Sequence, residues 1–184
     1  MALRLADPGT LLSTTHRVDG GLRVRLRLAR PSDAARMQAF FDGLSAETRH
    51  RRFFVAMPST SETLIRHFTF FDPRERLVLV AAAMIAHSEE IVGMADVSLA
   101  DTAVAELGVV VDDAQQGLGI GKLLTEAIAS LAIRQGATHL RAELLEGNGR
   151  MVALMQRLGH TMVTTEGRAS VALTRLPATR RRAA

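Results

Sequence analysis

No cysteine, tryptophan or tyrosine occurs in the 184 residues, and lysine occurs once, at Lys122. Zero cysteines exclude disulfides, thiolate metal ligation and a cysteine nucleophile, and they fit a reducing cytoplasm, the compartment expected here. The six histidines (His16, His50, His67, His87, His139 and His160) are scattered, with no HExxH or carboxylate spacing, so no metal is expected. No apolar run approaches the ~18 residues of a membrane span. The opening MALRLADPGT lacks the continuous apolar stretch of a secretory signal. The net charge of +4 comes mostly from Arg180, Arg181 and Arg182 in the tail ATRRRAA. With no Tyr or Trp to stack on bases, nucleic acid is not an expected partner. Genomic base bias accounts for arginine standing at every basic position but one.

What is present is an ordinary globular composition, 47% hydrophobic and 23% charged, in a chain long enough to bury one real core. The expected layout is an N-terminal extension over residues 1–16, one domain over 17–176 and a basic tail over 177–184. A turn at Asp19-Gly20-Gly21 precedes a strand in which Leu22, Val24, Leu26 and Leu28 alternate with arginines, the period of a sheet with one wet face. Pro31-Ser32 stops it, and Ser32 is placed to cap a helix carrying Met37, Phe40, Phe41 and Leu44 on one face. Ser45 opens a second helix through RHRRFF, and SETLIRHF forms a third. After the break at Asp72-Pro73 come three strands: RLVLVAAAMIA and IVGMADVSLA joined by a polar turn HSEE, then AVAELGVVV beyond Asp101-Thr102. Short polar links predict an antiparallel meander. A long helix follows, with Ile120, Leu123, Leu124, Ala127, Ile128 and Leu131 on one face and Gly136 just past its end. THLRAELLE is a strand, NGRMVALMQRL a helix, and the last two strands form a hairpin around Gly167. The order describes an α/β (α+β) chain, a mixed and mostly antiparallel sheet flanked by helices.

The meander and the long helix are joined by DDAQQGLGIGKLL, in which Gly117, Gly119 and Gly121 alternate with Leu118 and Ile120. A helix N-terminus leaves about four backbone N–H groups unpaired and carries roughly half a positive charge. Glycines let a ligand touch those groups, which suits phosphate. The Rossmann pattern fails, because its third glycine is Lys122. Walker A fails too, with Gln116 and Leu123 at required Gly and Ser/Thr positions. The pattern present is Q-x-x-G-x-G, as Gln116, Gly119 and Gly121.

This stretch resembles the acetyl-CoA-binding motif of the GNAT superfamily of acetyltransferases, and NGRMVALMQRLGH from Asn148 resembles that family's second motif. RVRLRLARPSDAARMQAFFDGLSAETRHRRFF and FDPRERLVLVA are similar to bacterial Pat-type protein lysine acetyltransferases, so the likeness runs from about residue 17 to 175. The resemblance implies a GNAT fold with acetyl-CoA at the glycine-rich turn between the family's fourth strand and third helix. It implies acetyl transfer to an amine, a protein lysine in the Pat-type group. A small-molecule amine acceptor, or a non-catalytic acyl-CoA-binding regulatory module, are the alternatives.

Attack by an amine requires loss of a proton from an ammonium of pKa about 10.4. Glu106, a lone charge in the apolar strand leading to the glycines, is the best-placed base, and the Pat-type group has a glutamate at a matching position. Its alternative is an exposed strand residue paired with an arginine. Partial burial would raise its pKa toward the working range. The main chain of Val109, Val110 and Val111 is expected, as in GNAT proteins, to hold the thioester oxygen and pair with pantetheine amides. Gln116, Gly117, Leu118, Gly119, Ile120, Gly121 and Lys122 are expected around the diphosphate. Lys122 either approaches a phosphate or is simply exposed. Asn148 either contacts the CoA arm, as the resemblance implies, or caps its helix. Met155 stands where many GNAT enzymes have a tyrosine that protonates the thiolate, and His160 is read as structural.

Overall fold

The structure, a computed structural model, describes residues 8–55, 57, 59–99, 103–167 and 169–178. Its strands are β1 (Thr15–Arg17), β2 (Arg23–Leu28), β3 (Arg76–Ile85), β4 (Ser88–Ser98), β5 (Val104–Val111), β6 (His139–Leu145), β7 (Thr161–Glu166) and β8 (Ala169–Arg175). They form one sheet in the order β1-β2-β3-β4-β5-β6-β8-β7. Every pairing is antiparallel except β5 with β6, which is parallel because α5 (Ile120–Arg134) crosses over between them.

Two cores cover the sheet. Against one face pack α1 (Pro8–Ser13), α5 and α6 (Gly149–Leu158), burying Leu11, Leu124, Ile128, Met151 and Met155 with Leu26, Leu79 and Leu107. Against the other pack α2 (Ala34–Gly43), α3 (Ala46–Phe53) and α4 (Glu62–Thr69), burying Met37, Phe40, Phe41, Ile65 and Phe68 with Val78, Val80, Met94 and Val110. Within β3 to β5, even-numbered residues near the middle face α2–α4 and their neighbours face α5, as a two-residue side-chain period requires. The first turn of α5 lies close on β4 at Gly93, where a β-carbon would meet Leu124 at 3.0 Å and Ile120 at 3.2 Å.

Local expectations fail at two places. Ser32 does not cap α2; Asp33 takes the boundary, its carboxylate accepting from the Arg30 N–H at 2.8 Å and from the Arg27 guanidinium at 2.6 and 2.8 Å. A buried ion pair outcompetes a hydroxyl cap here because Arg27 needs a counter-charge in the interior. The β3–β4 turn is Ala86-His87, both with positive φ (46° and 72°), and Ser88, Glu89 and Glu90 already belong to β4. That left-handed pair matches the twist of a tight hairpin, but neither residue is the Gly or Asn that would reveal it. Residues 8–16 add α1 and most of β1, and Leu11 is 7% exposed within the core. Asp101, Thr102 and Arg180 to Arg182 lie outside the described residues.

The β5–β6 pairing ends after Glu106↔Arg141, while β6 stays paired to β8 as far as Leu145↔Ala169. The two strands therefore part beyond Glu106. A cleft of about 770 Å³ opens between them and reaches under α3 and α4.

Candidate active site

The cleft begins at the glycine turn. Gly117 and Gly119 adopt φ of 82° and 87°, the left-handed region, and Gly119 is the residue that opens α5. Gly121 has no such backbone demand, and a β-carbon there would meet Leu154 at 3.5 Å and Val111 at 3.7 Å, ordinary contact distances. Its missing side chain is thus required by neither φ nor packing, and it faces the cleft. Among the described residues, no protein group accepts from the N–H groups of Gly117 through Lys122. Leu118 anchors the bend from behind, its carbonyl accepting from Asp19 N–H at 3.2 Å, and Ile120 is buried. Of these residues Gly117, Gly119, Gly121 and Lys122 line the cleft, at the positive end of a fifteen-residue helix.

Side chains add positive charge to the same corner. Lys122 is exposed on the cleft wall. Arg150 of α6 donates to Gln116 Oε1 at 2.8 Å, and Gln116 Nε2 donates to the Val111 carbonyl at 3.3 Å. Asp113, just before the turn, accepts from Ser45 N–H at 2.8 Å, Ser45 Oγ at 3.0 Å and Thr48 Oγ1 at 2.6 Å. Burial pushes the Asp113 carboxyl up, but these donors outweigh it and hold the group below the usual carboxylate range. Asp113 thereby staples the start of α3 to the glycine turn. Asn148 caps α6, its Oδ1 accepting from Met151 N–H at 3.2 Å, while its side chain still lines the cleft.

Main-chain direction separates the three valines. Asp112 N–H donates to Val92 O at 3.0 Å, and the β4–β5 register then runs unbroken from Gly93↔Val111 to Ser98↔Glu106. Alternation commits the N–H and C=O of Val110 to β4 and turns those of Val109 and Val111 toward the cleft. Val110 also buries its side chain, at 4% exposure, against α2 and its neighbours. Of the three valines expected to offer main chain to a ligand, Val110 is committed to β4, and only Val109 and Val111 turn theirs toward the cleft.

At the far end, Glu106 lies on the α2–α4 face. Its side chain is 66% exposed and pairs with Arg141 Nη1 at 2.9 Å; Arg141 also donates to Glu143 at 2.7 Å. Partial burial, the condition for a desolvated base, is not met. Beside it, Asp96 of β4 is 5% exposed and binds both Arg52 of α3 and, at 2.7 Å, Arg76 of β3. Arg52 stacks over Phe53 and Phe68 at 5.2 and 5.7 Å and lies across Gly108, where a β-carbon would run into its guanidinium. His67 lines the same wall. Burial first, then Arg76 and Arg52, hold its pKa below the ordinary value, so the ring is neutral at pH 7. Arg52, Arg76, Asp113 and Arg150 are the site residues that sequence reasoning missed. Asp96 carried the same signal as Glu106, a lone acid in an apolar strand.

The site combines a helix-opening glycine bend, whose amides have no acceptor among the described residues, with a strand that parts from its parallel neighbour, and such a bend is suited to an anion. The family model for the acetyltransferase (GNAT) family matches residues 38–160, two thirds of the chain.

The chain belongs to the GNAT family.

The GNAT domain of S. lividans PAT superposes with a TM-score of 0.78 at 26% identity, over 89% of this chain and 96% of that one. A cAMP-binding acyltransferase from Mycobacterium smegmatis matches with a TM-score of 0.61 at 24% identity, and this GNAT chain spans 47% of its length. YncA from Salmonella typhimurium, solved with its cofactor acetyl-CoA, shares the fold with a TM-score of 0.66 at 18% identity, over 87% of this chain and 96% of that one. This GNAT protein is therefore an acyltransferase with acetyl-CoA as co-substrate. Met155 is 0% exposed in the α5-side core and does not line the cleft, so position 155 supplies no proton donor to the site. Among the described residues no group of three His, Asp or Glu could hold a metal ion, and no helix is long and apolar enough to cross a membrane.

Proposed function

We propose that this GNAT enzyme acetylates the side-chain amine of a protein lysine, with Glu106 as general base. One observation carries the reading: Glu106 lines the cleft with a side chain 66% exposed, so a lysine borne on a large partner can reach it. The diphosphate of acetyl-CoA rests on the N–H groups from Gly117 to Lys122, with Lys122 and Arg150 as counter-charges. The pantetheine arm runs along the free edge of β5, pairing with the main chain of Val109 and Val111, and passes Asn148. The thioester then lies beside Leu107 and Gly108, two residues or fewer from Glu106.

The ammonium gives a proton to the Glu106 carboxylate, and the free amine attacks the thioester carbon. A cleft-facing N–H of β5 stabilises the oxyanion as charge develops. The N–C bond forms, the C–S bond breaks, the nitrogen loses its second proton to solvent to leave the neutral amide, and a thiolate of pKa about 8.5 departs and takes a proton from solvent. A leaving group that good needs no dedicated acid, which fits a buried Met155. The test is Glu106→Gln, assayed for CoA release with a lysine peptide and for acetyl-CoA binding by calorimetry. Turnover is expected to fall about 10²–10⁴-fold with binding intact. Undiminished release refutes the base. Absence of release from the unaltered protein with every amine, despite CoA binding, favours the regulatory-module reading instead.

A further inference from the structure

The register places three charged side chains and Ser98 in a row across four strands. Arg76 pairs with Ser98, Ser98 with Glu106, and Glu106 with Arg141, so all four share the face under α3 and α4. One step along, Asp96 pairs with Gly108, and Arg52 descends from α3 onto that pair. The acceptor end of the cleft therefore has two unlike poles. On the β6 side, among the described residues, Glu106 and Glu143 share the single cation Arg141, leaving one net negative charge. On the β3 side, among the described residues, Arg52 and Arg76 share the single carboxylate Asp96, leaving one net positive charge. His67, neutral at pH 7, does not alter that sum. Arg52 Nε is buried with no hydrogen-bond partner among the described residues, and Arg52 and Arg76 side chains are 16% and 20% exposed, both on the cleft wall.

We propose that the acceptor carries a carboxylate close to its reactive amine, docking on Arg52 and Arg76 while the amine meets Glu106. The inference rests on the acetyl-transfer reading above and adds the acceptor's charge pattern. Gly108 lies two residues from Glu106 on one strand, about 7 Å, and Arg76 lies two strands away, about 10 Å. Those separations match an acidic residue one or two places from a lysine in an extended peptide. They also match the carboxylate of a free amino acid. Cations held in a partly dry wall with too few counter-ions favour an anion over a neutral group, because their desolvation is already met by the fold.

The experiment measures kcat/KM by CoA release for four acceptors: an end-blocked peptide with Glu-Lys-Glu at its centre, its Gln-Lys-Gln isostere, free lysine and lysine amide. The acidic peptide is expected to exceed its isostere by about tenfold. Arg76→Gln is expected to bring that ratio within about twofold, and Arg76→Lys to restore it, which a packing role for Arg76 would not do. A preference for free lysine over lysine amide, with the blocked peptides poor, assigns the carboxylate to a small molecule and upholds the charge pattern. Equal turnover of both peptides, together with equal turnover of lysine and its amide, overturns this inference and leaves acetyl transfer standing. No turnover of any acceptor overturns the acetyl-transfer reading, and this inference falls with it.

Discussion

Gly121→Ala separates what the glycine turn does for the fold from what it does for the ligand. The residue occupies the second position of α5 with ordinary helical φ, and the added methyl would sit 3.5 Å from Leu154 and 3.7 Å from Val111. Nothing in the chain resists it, and alanine restricts the unfolded chain more than glycine does. Stability should rise by about 0.5–1 kcal/mol, or roughly 2 °C in Tm for a domain of this size. The same methyl projects into the space that the diphosphate must enter to reach the N–H groups of Gly121 and Lys122. Losing one charge-assisted hydrogen bond costs about 1.5–3 kcal/mol, so acetyl-CoA affinity should fall roughly 10- to 150-fold. Thermal melting and titration calorimetry on the same sample give opposite signs if the reasoning holds. Gly119→Ala is the contrast: with φ of 87° it strains the backbone by about 1–2 kcal/mol and should lower both quantities. An unchanged acetyl-CoA affinity in Gly121→Ala would refute a diphosphate at this bend.

Other sites make separate claims. Asp33→Asn breaks the pair with Arg27, two side chains 2% and 9% exposed. Glu89 still holds Arg27 at 3.0 Å, so the loss should be about 3 kcal/mol, the low end for a buried pair, read from a urea midpoint. Burial pushes the Asp33 carboxyl up, but the bonds from Arg27 and the Arg30 N–H outweigh it and leave its pKa lowered from 3.8. The contribution of Asp33 is therefore complete above that ordinary value and disappears as pH falls through the lower folded value. Wild type should lose stability on acidification in that window, and Asp33→Asn should not show the same component. Asp113→Ala releases Ser45 and Thr48; amide exchange across Ala46–Phe53 should accelerate and KM for acetyl-CoA rise, and unaltered protection would show that the staple is idle. Gly108→Ala drives a methyl into the Arg52 guanidinium, which must leave Asp96; a stability loss of about 1–3 kcal/mol is expected, and an unchanged Tm would contradict the packing described.

What could be read along the chain was what depends on neighbours in sequence. Ser45 accepts from Thr48 N–H three residues away, Asn148 from Met151, and Gly117 and Gly119 bend the backbone by their own φ, so each reveals itself in a short window. The alternation of β2 and the apolar stripe of α5 are equally local, and with the paired motifs they sufficed for the fold and the family. The Ala86-His87 turn was illegible because residues without turn preference adopt left-handed φ when the paired strands demand it. Only the assembled sheet decided that β5 and β6 part after Glu106↔Arg141, which creates the cleft, and that Val109 and Val111 rather than Val110 turn main chain into it. Only the packing of α3 over β5 brought Arg52 to Asp96, 44 residues apart in sequence. Capping, periodicity and φ are properties of a few consecutive residues. Strand partnership, main-chain direction and the pairing of distant charges are relations between segments, and those exist only once the chain has closed on itself.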